Sequence, residues 1–145
     1  MAQTPQTYKN HVRFFPLFHF FVAPVLLINF LNAIRHLYYR QGRDTVWEVI
    51  LAAALVGLAL AARLMALKVQ DRVIRLEMRL RMNQLLPADL GARLNDLTPQ
   101  QLIALRFASD AELAGLVREV LDGKLATQKA IKERVQHWTG DYLRA

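Results

Sequence analysis

The sequence predicts an all-α protein: a two-span transmembrane helical hairpin whose second helix extends into a cytosolic rod, followed by a small bundle of short helices. Three observations carry that prediction. Residues 14–34 contain no Asp, Glu, Lys or Arg, and residues 46–62 contain a single acid, Glu48, near their start. No Pro or Gly follows Gly57 until Pro87, so nothing local stops the second helix where its apolar stretch ends. Beyond Pro87, cap and stop signals recur at short intervals and no strand pattern appears.

Composition agrees with the prediction. Of the 145 residues, 54% are apolar and the mean hydropathy is +0.14, high for a soluble chain of this size. A bilayer core needs roughly 20 apolar helical residues, which each uncharged stretch reaches with its flanks. A small soluble core has no room to hide two such helices. The first apolar stretch is too long for the core of a signal peptide and lacks a small-x-small cleavage site, so it reads as an uncleaved anchor.

The segments follow in order. Residues 1–13 form a basic N-terminal segment with Lys9 and Arg13. Helix one covers residues 14–39. Pro16 suits its first turn, while Pro24 lies inside it and predicts a kink. The turn is Arg40-Gln41-Gly42-Arg43-Asp44, bracketed by Tyr38, Tyr39 and Trp47 as an aromatic belt would be. Residues 45–67 form the second span and residues 68–86 its continuation as a stalk; at 1.5 Å per residue the rod is about 60 Å long. Residues 87–145 form the helical module. Thr98-Pro99-Gln100-Gln101 is a helix start, and Ser109 with Glu112 is a capping box opening a helix that Gly123 closes. Ile131, Val135 and Trp138 then predict a last helix by their spacing. So small a module is marginal alone and is expected to pack on the rod or on another subunit.

The net charge of +7 resides entirely before Pro87, since acids and bases balance in the module. A nucleic-acid-binding module would carry the excess itself, so nucleic acid is not an expected partner. Basic residues beside apolar helices instead fit anionic lipid headgroups, with Arg63, Lys68 and Arg72 as the contacts. More Lys and Arg flank the two termini than the turn, which places both termini in the cytosol. Cysteine is absent, so thiolate chemistry and disulfides are excluded.

Three groups of residues suggest contacts. Ala53, Gly57 and Ala61, at four-residue spacing, let another helix approach closely within lipid. Val69, Val73, Leu76 and Leu80 have the 4-3-4 spacing of a coiled-coil seam, with Asn83 as the next seam position. That seam either joins subunits or covers the chain's own module. Lys68, Arg72, Arg75 and Arg79 form a basic ridge beside it, and Asp71–Arg75 and Glu77–Arg81 are spaced to pair. In helix one, Asn29, Asn32 and His36 fall within a 60° arc. An amide in hydrocarbon needs a hydrogen-bond partner, so Asn29 and Asn32 read as a helix–helix contact, and Arg35 and His36 as interfacial anchors.

Catalytic motifs are missing. His11, His19, His36 and His137 form no metal-ligand spacing, no Gly-rich phosphate loop occurs, and Ser109 is the only serine. No cofactor or metal is expected. The leading expectation is a non-enzymatic, homo-oligomeric membrane hairpin presenting its helical module for contact with a cytosolic protein. The alternatives are a small oligomeric channel or transport accessory with helix one lining the pore, and an enzyme using His11 or His19 on a lipid-linked substrate.

Several phrases together carry a family likeness: Tyr8-Lys9-Asn10-His11 with Arg13, Pro16-Leu17-Phe18-His19, Leu76-Glu77-Met78-Arg79-Leu80-Arg81, Gln101 through Asp110, and Ile131-Lys132 with Trp138 and Asp141. Over nearly its whole length the chain resembles a family of small bacterial membrane proteins, a domain of unknown function some of whose members carry a permease label. The resemblance implies a bacterial inner-membrane protein with two spans and a cytosolic helical tail, and it brings no catalytic or ligand residues. One hairpin lines a pathway only when several copies assemble.

Overall fold

The computed structural model describes residues 6–8, 10 and 14–141; Lys9, His11 and Arg13 of the basic segment lie outside the described residues. The described residues form helices joined by turns and short irregular links, with one isolated β-bridge between Ala108 and Trp138. They form two compact units, residues 14–68 and residues 69–141, the latter with residues 6–8 and 10.

In the first unit a π-helical turn, Leu17–Val22, leads into helix α1, Ala23–Tyr39, and a short turn then opens α2, Arg43–Leu85. The π-turn has a local cause. Pro24 has no N–H to give the preceding turn, and the wider turn re-registers the bonds, with the Ala23 N–H reaching the Phe18 carbonyl. The turn between α1 and α2 is fastened by Thr45, whose Oγ1 lies 2.9 Å from the carbonyls of both Arg40 and Gly42. On the part of α2 in this unit the less exposed positions are Thr45, Val49, Ala52, Val56, Ala59, Arg63 and Leu67, with steps of four and three that alternate as far as Arg63. Leu26, Phe30, Ala33 and Leu37 are their counterparts on α1.

The second unit is a core wrapped on the last turns of α2. Ile74, Met78 and Met82, spaced i, i+4, i+8, are 5%, 3% and 0% exposed. They join Leu94, Leu97, Leu102, Leu105, Leu113, Val117 and Ile131 in one hydrophobic cluster. The module therefore packs on the rod, through a face other than the expected seam. Around it run α3 (Ala88–Gly91), a 3-10 turn (Leu94–Asp96), α4 (Pro99–Leu105), α5 (Asp110–Leu121) and α6 (Gln128–Arg134).

The cap chemistry behaves as its residues dictate. Thr98 and Gln101 close a reciprocal box, each side chain bonded to the other's backbone N–H at 3.3 and 2.8 Å. Helix α5 ends in a Schellman motif. Gly123 sits at φ +77°, with the Gly123 N–H on the Val120 carbonyl and the Lys124 N–H on that of Glu119.

Three expected features take another form in the structure. The last helix stops at Arg134, so Trp138 does not extend it. Glu112 explains the stop: its carboxylate accepts the N–H groups of Gln136 and His137 at 3.1 and 3.2 Å, drawing the chain out of helix. Trp138 then meets Phe107 from an extended segment, ring centroids 4.7 Å apart. Likewise Glu77 does not pair with Arg81, which bonds to Asp110 instead. Asp71 and Arg75 form no ion pair among the described residues.

Candidate functional site

Two surfaces collect the residues singled out by the sequence. The first is a polar cleft in the first unit. His36 and Glu48 lie six positions before and six after Gly42, so reversing the chain there brings them opposite one another. His36 Nδ1 lies 3.1 Å from Glu48 Oε2. Around them opens a cleft of about 380 Å³ lined by Asn29, Asn32, Arg35 and His36 of α1 and by Glu48 and Leu51 of α2, among others. The polar stripe of helix one thus faces an acid that the sequence presents only as a flanking charge. The equal distances from Gly42 are the signal that would have found it.

The cleft grades in polarity along its length. Arg35, His36 and Glu48 stand at the turn end, beside exposed Tyr38, Tyr39 and Trp47. Asn29 and Asn32 lie one to two turns farther along α1, and Leu55 lines the far end from α2. His19 takes no part. Its Nδ1 sits 3.0 Å from the Phe15 carbonyl, with its ring edge-on to Phe14 and Phe18. No group of three or more metal-ligating side chains occurs among the described residues.

The second surface is the stalk face. Val69, Val73, Leu76 and Leu80 are 62%, 48%, 60% and 56% exposed. At 100° per residue they lie on the side of α2 opposite Ile74, Met78 and Met82. The structure brings the seam residues together as one uncovered row. Ala53, Gly57 and Ala61 are exposed as well, and a Cβ added at Gly57 would meet nothing within 4 Å. The face of α2 turned inward is that of Ala52 and Val56, so the small-residue row is left open within this chain. Among the cations, Arg63 stands over the Phe18 ring at 6.0 Å, whereas Lys68 and Arg72 are exposed.

Smaller clefts in the second unit are occupied by structural bonding. Arg106 pairs with Asp141 at 3.0 Å, and Arg134 bonds to Glu119 through two nitrogens at 3.1 Å. The hydrogen bond from Arg134, aided by its charge, holds the Glu119 carboxyl below the usual carboxylate range; the same bond raises Arg134.

The model of a family of unknown function (DUF6526) matches residues 1–145. The chain belongs to that family. No curated protein and no solved structure matches it. Membership in DUF6526 agrees with the resemblance to an uncharacterised family and lends no residue a catalytic or binding role. Two helices of this DUF6526 chain, Leu17–Tyr39 and Arg43–Leu85, are long and apolar enough to cross a membrane, and 6% of the most apolar stretch of each is buried.

Proposed function

We propose that this is a non-enzymatic, two-span membrane protein of the bacterial inner membrane that self-associates and presents its helical module to a cytosolic protein partner. The observation that carries the reading is the open row Val69, Val73, Leu76 and Leu80. The module already covers α2 through Ile74, Met78 and Met82, so the row is not needed for the chain's own core. Four large aliphatic side chains exposed in one line at coiled-coil spacing are what a helix keeps for another helix.

Further support comes from the ends of the chain. The Gln6 amide donates to the Asp141 carbonyl at 3.2 Å and accepts the Asp141 N–H at 3.0 Å. Residues so paired share one side of any membrane, which requires an even number of crossings between them. The Lys and Arg distribution supports the cytosol as that side. Lys68 and Arg72 are then the cations near anionic headgroups, and the exposed Ala53, Gly57 and Ala61 row meets a neighbouring helix in lipid.

The test is the state of the full-length protein in mild detergent and in native membranes. Discrete oligomers are expected; a strict monomer in both overturns the proposal. The cleft favours a second reading, a small oligomeric channel with Asn29, Asn32 and His36 facing water. Ion flux into liposomes that vanishes in the Asn29→Leu/Asn32→Leu variant would replace the first reading with this one.

A further inference from the structure

We infer that the stalks pair as a parallel, in-register homodimer in which Arg72 of each copy faces Glu77 of the other. The inference rests on the proposed self-association and specifies its geometry. The spacing permits one heptad assignment. Steps of four, three and four from Val69 through Leu80 put Val73 and Leu80 at a, and Val69, Leu76 and Asn83 at d. Ile74, Met78 and Met82 then take b, f and c, the outer face of a coiled coil, and they are the residues covered by the module. A module seated there leaves the a/d seam clear for a partner. The two requirements on one helix are met without conflict.

The flanking positions choose the partner and its direction. Arg72 and Arg79 occupy g; Gln70, Glu77 and Gln84 occupy e. In a parallel pair, g of one helix faces e of the following heptad on the other, so Arg72 meets Glu77 across the seam, twice by symmetry. In an antiparallel pair g faces g and e faces e, bringing Arg to Arg and Glu to Glu. The seam is thus complementary to a second copy of itself in one direction only. Arg72 and Glu77 are both exposed, and among the described residues neither is in an ion pair within its own chain. Arg81, the obvious local partner of Glu77, is held by Asp110. A β-branched residue at a (Val73) with leucine at d (Leu76) suits two strands. The seam is short, and anchoring both stalks in one membrane supplies the effective concentration that a short seam needs.

The absence of cysteine makes the test clean. In native membranes, full-length Val73→Cys and Leu80→Cys variants are expected to form disulfide-linked dimers on mild oxidation, while Arg75→Cys, at the outer c position, does not. Placed on the Val73→Cys background, Arg72→Glu and Glu77→Arg should each lower the cross-linked fraction about fivefold, and the double exchange should restore it. Oligomers that persist by native mass spectrometry without Val73→Cys linkage, or without rescue by the double exchange, overturn this pairing and leave self-association standing. A strict monomer overturns both.

Discussion

Arg81 turns its guanidinium onto Asp110: Nε and Nη2 both donate to Oδ1, at 2.8 and 2.5 Å, and Nη2 also donates to the Ala108 carbonyl at 2.7 Å. One side chain of α2 therefore binds the start of α5 and the strand-like link before it. Arg81→Ala should destabilise the full-length protein by about 1–3 kcal/mol, because it takes the shorter of two donors from the Ala108 carbonyl and leaves only the Thr139 hydroxyl at 3.5 Å. Arg81→Lys should recover only part, since an ammonium cannot reproduce the fork. Asp110→Asn should cost less than about 1 kcal/mol, its side chain being 66% exposed. Denaturant unfolding in mild detergent measures all three.

Opposite faces of one helix should respond differently to truncation. Met82 is fully buried, so Met82→Ala should cost about 2–5 kcal/mol through lost burial and a cavity. Leu76→Ala should leave the stability of the single chain within about 0.5 kcal/mol. Under the proposed self-association, Leu76→Ala should also shift the oligomer toward monomer, as read by native mass spectrometry.

Acid should loosen one identifiable contact. Glu119 has a lower pKa in the folded protein than in the unfolded chain because Arg134 bonds its charged form. A lowered acid contributes stability that is complete above its unfolded value, near 4.3, and is lost as pH falls through the folded value. Glu119→Gln should therefore lower the melting temperature at pH 7 and narrow its difference from the parent protein below pH 4. A difference that persists unchanged at low pH would show that the carboxylate charge is not what matters.

Gly123 is held in the left-handed region at φ +77° with open space around it. Gly123→Ala should destabilise by roughly 1 kcal/mol from backbone strain alone, with no steric clash to add. Gly57→Ala, on a helix with equal space, should have the opposite sign or none in the single chain. Thermal melts of the two variants check the contrast.

Much of the fold was legible because its signals are local. Two long apolar runs, the Gly42 turn and the Thr98 and Ser109 caps each act within a few residues. Contacts across sequence were not. Nothing near Met78 or Met82 marks them as the face that meets the module, since the neighbouring Val73, Leu76 and Leu80 row is as apolar and more regular. Trp138 fitted a helical period until Glu112, distant in sequence, captured the backbone ahead of it. The site was half visible: Asn29, Asn32 and His36 shared an arc, but Glu48 became their neighbour only when the turn was folded. Charge pairs four apart misled at Glu77 because Asp110 offered Arg81 a carboxylate and carbonyls together.

Glu112 has a consequence for timing. Its carboxylate accepts the N–H of Ser109 as well as those of Gln136 and His137. The start of α5 is thus completed by residues that leave the ribosome some 25 positions later. Synthesis runs from the N-terminus, so this junction stays unfinished until Gln136 and His137 have been made. A product released before His137 would carry α1 to α6 with the last of these unmoored, and protease sensitivity between residues 123 and 135 would report it.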